Sequence, residues 1–120
     1  MSPPDDVIAI VDDDLAVVES LKFLLEAAGE TVAAYTSAEA FLNDRDTHPS
    51  CLIADYHMPQ MTGLDLTARL RAGGSTLPVL LVTGLSSPAI VARAAELGVS
   101  AVLEKPIDED RILSFVSAHR

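Results

Sequence analysis

The chain has 120 residues, enough for one domain with a self-supporting core. Its 18 acidic residues against 8 Lys and Arg give a formal net charge of −10, which excludes nonspecific adhesion to nucleic acid or to an anionic membrane surface. An apolar fraction of 49% excludes a disordered chain, and 4% aromatics with no Trp make the core aliphatic.

Residues 1–6 are acidic, contain Pro3 and Pro4, lack an apolar signal core and read as a tail. No apolar stretch reaches the roughly 18 residues of a membrane span, so cytoplasmic residence is the default expectation. Residues 7–11, Val-Ile-Ala-Ile-Val, form an apolar run of strand length rich in β-branched residues. Such a run suits a central parallel strand covered on both faces. It stops at Asp12, Asp13 and Asp14. Residues 15–28 have helical periodicity in Val17, Leu21, Leu24 and Ala28, with Gly29 as a C-terminal cap. Residues 31–35 read as a weaker strand. Thr36 and Glu39 have the spacing of a capping box, which predicts a short helix to about Asn43. A polar loop with Pro49 follows.

Residues 51–54, Cys-Leu-Ile-Ala, are a third buried strand ending at Asp55. Cys51, the single cysteine, reads as a buried structural thiol. A loop with Pro59 and Gly63 leads into a helix to about Ala72, stopped by Gly73 and Gly74. Residues 78–82 make a fourth strand ending at Thr83-Gly84. A helix over residues 87–97 places Ile90, Val91, Ala94 and Leu97 on one side. Residues 101–104 make a fifth strand ending at Lys105-Pro106. The last helix starts near Asp108 and uses Ile112, Phe115 and Val116. This alternation predicts an α/β fold of parallel βα units, with helices on both faces of one sheet.

Ligands of an open parallel sheet bind outside the carboxyl ends of its strands. Those ends deliver Asp12 and Asp13, Asp55, Thr83 and Lys105. Crowded carboxylates repel one another, and a hard divalent cation relieves the repulsion. A metal, a nucleophilic carboxylate, a fixed ammonium and a hydroxyl together suit phosphoryl transfer to a carboxylate.

Val11-Asp12-Asp13-Asp14, Asp55-Tyr56-His57-Met58-Pro59 with Gly63, Thr83-Gly84 and Lys105-Pro106, in this order, resemble the receiver domain of two-component response regulators. The resemblance runs from about Val7 to the end, making residues 1–120 one receiver domain. It implies a doubly wound, flavodoxin-like sheet of strand order 2-1-3-4-5 with five helices. It implies Asp55 as the phosphoacceptor and Mg²⁺ held by Asp12, Asp13, Asp55 and the backbone carbonyl of His57. It implies Thr83 as a switch hydroxyl and Lys105 as an ion-pairing lysine, in a family where the Lys-Pro bond is often cis. The implied donor is the phosphohistidine of a sensor histidine kinase or a phosphotransfer protein. The output is a surface of the fourth helix, fifth strand and fifth helix that meets a downstream protein and not nucleic acid. A homodimer through Arg93 and Arg111 is a further expectation.

Two departures qualify the resemblance. Val102 stands where the family often has an aromatic ring, so the movement of the loop after Thr83 is expected to matter more. The Asp triplet leaves the ligand register open; Asp12 and Asp13 are taken as ligands because Val11 ends the apolar run and Asp14 suits a helix cap. The ring of His57 is expected at the rim of the site, with Leu85 lining the same mouth. His48 and His119 read as surface residues. Since no further domain follows the last helix in these 120 residues, a stand-alone regulator is the expectation, a longer chain the alternative. An adaptor that works without phosphorylation is a second class. A phosphohydrolase is a third, disfavoured because His57 stands where it needs an acid.

Overall fold

The computed structural model of the chain describes residues 7–119, so the tail expected over residues 1–6 lies outside the described part. The elements are β1 (Val7–Val11), α1 (Leu15–Ala27), β2 (Thr31–Tyr35), α2 (Ala38–Asn43), β3 (Cys51–Asp55), α3 (Gly63–Ala72), β4 (Val79–Thr83), α4 (Pro88–Glu96), β5 (Ala101–Glu104) and α5 (Glu109–His119). All strands are parallel, in the order β2-β1-β3-β4-β5 expected of a doubly wound sheet.

Burial follows from that order. β3 and β4 are buried at every residue and β1 at all but Val7, whereas the edge strands β2 and β5 are mixed. Alternate strand residues point to opposite faces. Ile8, Ile10, Ile53, Leu80 and Val82 therefore pack with Leu21 and Leu25 of α1 and Ile112 and Val116 of α5. Ala9, Val11, Leu52, Ala54 and Val79 pack on the other face with Phe41 of α2 and Leu66 of α3. Cys51 is fully buried, and burial pushes its thiol up to about 11, so it is an inert core residue. Ile10 has no exposed surface. Ile10→Ala should cost about 2–5 kcal/mol in urea unfolding, and a loss below about 1 kcal/mol would mean the site collapses around the gap.

Three local expectations need correction. α1 buries Val18, Leu21 and Leu25, while Val17 and Leu24 sit at the margin and Ala28 is exposed at the C-cap. The helix carries apolar residues on adjacent stripes, so its periodicity leaves the phase open by one residue. α2 is capped by Ser37, whose hydroxyl accepts from Ala40 N at 3.0 Å, not by Thr36. The capping box occurs instead at Thr62 and Asp65 of α3, where side chains and backbone amides bond reciprocally at 3.1 Å. In α4, Ala94 is buried and Ile90 and Leu97 half-buried, but Val91 is 49% exposed.

Candidate functional site

β1 hands its ladder on to the site. Asp12 N donates to Tyr35 O at 3.1 Å, which extends the β1–β2 pairing by one residue and holds Asp12 buried. Asp14 is the N-cap of α1, its carboxylate accepting from Ala16 N at 3.0 Å. Asp14 N in turn donates to Asp12 Oδ1 at 2.9 Å. The cap occupies Asp14, and the adjacent Asp13 side chain remains exposed. Asp12, Asp13 and Asp55 each bring a carboxylate oxygen within 4.8 Å of the others, and Asp14 is not in the group.

Asp55 is the last residue of β3 and Thr83 the last of β4, one position further into each strand than the sequence pattern suggested. Asp55 is 4% exposed and Thr83 fully buried. Tyr56 N donates to Val82 O at 2.7 Å, and Lys105 N to Thr83 O at 2.9 Å, which lock the three strand ends together. The Lys105–Pro106 bond is cis. Lys105 Nζ stands 3.4 Å from Asp55 Oδ1 and 3.9 Å from Asp12 Oδ2. The sheet thus brings together Asp12, Asp13, Asp55, Thr83 and Lys105, which lie far apart in sequence.

The charge balance of this crevice is uneven. Burial pushes the Asp12 carboxyl from its usual 3.8 to about 6; Asp55 and Asp13 push the same way, while the Asp14 amide and Lys105 pull it back. Burial also raises Asp55, against the pull of Lys105. One ammonium faces three carboxylates. Lys105 is at ion-pair distance from Asp55 Oδ1, and its ammonium pulls that carboxyl down against burial. Among the described residues that oxygen is the only fully buried side-chain polar atom without a hydrogen-bond partner. With Lys105 as its cationic neighbour, shared with Asp12, the cluster stays short of positive charge. Three hard oxygen donors suit Mg²⁺ or a similar cation, so these residues fit the metal expected of the fold.

The ring of His57 is exposed at the rim, as expected, with Nε2 3.5 Å from Thr83 Oγ1. Leu85 is 74% exposed, and its backbone rather than its side chain meets Thr83. His48 is exposed and His119 half-buried against Phe115. Arg93 pairs at 3.5 Å with Glu96 of its own helix, both exposed. Sequence reasoning gave Gly63 no structural role. A Cβ there would lie 2.6 Å from Asp55 O and 2.7 Å from Leu81 Cδ1, so the glycine lets α3 start against the backbone of Asp55. Its signal was present, since it closes the loop that begins at Asp55.

The structure is thus a doubly wound parallel sheet with an acidic, cation-suited crevice at its carboxyl edge. The model of the response regulator receiver domain matches residues 8–117. The transcriptional regulatory protein FixJ of Azorhizobium caulinodans is 40% identical over 114 residues, 91% of this chain and 52% of that protein. Response regulator StyR superposes with a TM-score of 0.87 at 32% identity, covering 96% of this chain and 59% of that one. The crystal structure of FixJ-N gives 0.83 at 30% identity, covering 98% of each chain. The chain belongs to the receiver domain family of two-component response regulators, a family of regulatory domains. It spans about half the length of the curated relatives it matches. No described helix is long and apolar enough to cross a membrane.

Proposed function

We propose that residues 1–120 act as one receiver domain that takes a phosphoryl group on Asp55 from the phosphohistidine of a sensor kinase or a phosphotransfer protein. The observation that supports this most is the buried Asp55 carboxylate, ion-paired with Lys105 on one side and crowded by two further carboxylates on the other. Asp12, Asp13 and Asp55, with the backbone carbonyl of His57, would hold Mg²⁺. When bound, the cation would neutralise the cluster and the charge on the phosphoryl oxygens. A carboxylate oxygen of Asp55 forms the new bond to phosphorus. The N–P bond of the donor breaks, and its electron pair returns to the imidazole. Lys105, already placed between Asp12 and Asp55, stabilises the charge gathering on the phosphoryl oxygens. Thr83 supplies a hydroxyl beside them. The resulting change is read on the α4–β5–α5 surface by a downstream protein.

The experiment is incubation with a small-molecule phosphodonor with and without Mg²⁺, followed by intact mass. One added phosphoryl group that needs Mg²⁺ is expected; an unmodified chain would favour an adaptor that works by binding alone.

Metal-free stability should depend on pH in a definite direction. The folded chain keeps a proton on Asp12 up to about 6, whereas an unfolded Asp releases it near 3.8. The stabilising contribution is complete below the lower value and is lost as pH rises through about 6, on the order of 3 kcal/mol for so buried a group. Mg²⁺ should therefore raise Tm more at pH 7.5 than at pH 4.5, where Asp12 already carries a proton. Equal Mg²⁺ stabilisation at both pH values in a thermal melt would count against metal binding by these carboxylates.

A further inference from the structure

The geometry points to Tyr56 as the ring that carries the state of the Asp55 site to α4, with His57 as the latch that holds it at rest. This inference rests on the phosphoacceptor reading of Asp55 and adds the route by which that site is reported.

The argument starts from the single proton of the Thr83 hydroxyl. Thr83 Oγ1 donates to Leu85 O at 3.1 Å and accepts from Leu85 N at 3.3 Å. His57 Nε2 lies 3.5 Å from the same hydroxyl, and which of the two donates depends on the imidazole tautomer. The buried hydroxyl is thus engaged in both directions by the Leu85 turn, with the His57 ring beside it. It cannot donate to a new oxygen on Asp55 without releasing Leu85 O, and the turn that brings it there also breaks its contact with His57.

His57 leads directly to Tyr56. The two rings meet edge to face, with centroids 4.9 Å apart and planes at 87°. Such edge-to-face pairs attract beyond their buried area, so moving one ring disturbs the other. Tyr56 packs against the apolar cluster of Leu64, Leu81 and Ala94, which Ile90 of α4, its C-cap Leu97 and Val102 of β5 also join. Its ring also borders an open cavity of about 330 Å³ together with Ile90 and Arg93 of α4. A half-buried ring beside such a cavity has room to move, unlike a close-packed one. Val102 has no ring of its own to move in this cluster. Tyr56 is the aromatic residue that touches both the site and the α4 face. It acts through other groups and is a positioning residue.

The chain itself supplies the probe. It has 2 Tyr and no Trp. Tyr35, the other tyrosine, is fixed by donating to Asp44 at 2.7 Å. In a Tyr35→Phe background the tyrosine band of the near-ultraviolet spectrum, which lies to longer wavelength than that of Phe, reports Tyr56 alone. Titration with beryllofluoride and Mg²⁺, a mimic of the phosphoryl group, should change that signal in parallel with amide hydrogen exchange over α4. Tyr56→Leu should still be phosphorylated by the small-molecule donor but lose the exchange change in α4, and Tyr56→Phe should restore it. His57→Ala, which keeps the backbone carbonyl, should respond at a roughly two- to tenfold lower mimic concentration, because the resting bond no longer competes. A phosphorylated Tyr56→Leu whose α4 response equals that of the parent would overturn the relay alone. So would a His57→Ala response at unchanged or higher concentration. A parent chain that takes no phosphoryl group overturns the phosphoacceptor reading and the relay with it. A melt of each variant separates these outcomes from a failure to fold.

Discussion

Asp55→Asn is expected to abolish phosphoryl uptake while keeping the fold. Asn has the size of Asp but no anionic oxygen, so the nucleophile is lost with little change in packing. Uptake from a small-molecule donor should fall by at least about a hundredfold, which is the scale of removing a committed nucleophile. The same substitution removes one of three crowded carboxylates. Metal-free Asp55→Asn should therefore melt at or above the parent, because burial already disfavours the charged form of Asp55. It should also be stabilised less by Mg²⁺, since one ligand has lost its charge. Uptake at the parent rate would move the acceptor elsewhere; a large drop in Tm would make Asp55 a structural residue first.

Gly63→Ala is expected to damage the fold and the site together. The new methyl would stand 2.6 Å from Asp55 O and 2.7 Å from Leu81 Cδ1. The first contact is with backbone and cannot be relieved by a rotamer change. Either α3 moves away or the end of β3 shifts. Overpacking of this kind costs roughly 1–3 kcal/mol. Because Asp55 is the residue displaced, uptake should slow by about tenfold to a hundredfold in the folded fraction. The check is a urea melt alongside the uptake rate. A variant as stable and as fast as the parent would mean that α3 has slack the packing does not suggest.

Much of this was readable before any coordinates. The continuous aliphatic runs around Ile10, Ile53 and Leu81 could only be central parallel strands, and the polar residues that end them had to meet at one edge. The choice of Asp12 and Asp13 over Asp14 followed from the need of α1 for a cap, and the Asp14 carboxylate does bond to Ala16 N. What the sequence concealed was phase and proximity. Val17 and Val18 are chemically equivalent, and only the entry angle set by the cap decides that Val18 is buried. Thr36 and Ser37 are both capping residues, and the length of β2 decides between them. Gly63 looked like punctuation because a close backbone approach leaves no trace in periodicity. Tyr56 was visible only as a member of the motif that starts at Asp55, because its neighbours in α4 and β5 lie more than thirty residues away in sequence.

Borohydride reduces an acyl phosphate to an alcohol, so treating the phosphorylated chain converts the acceptor aspartate to homoserine and marks it permanently. Peptide sequencing should then find homoserine at position 55, in a Mg²⁺-dependent amount, with Asp12 and Asp13 unchanged. Homoserine at either of those two positions, or a phosphoryl group retained on a histidine with position 55 intact, would contradict the assignment of Asp55 as the nucleophile.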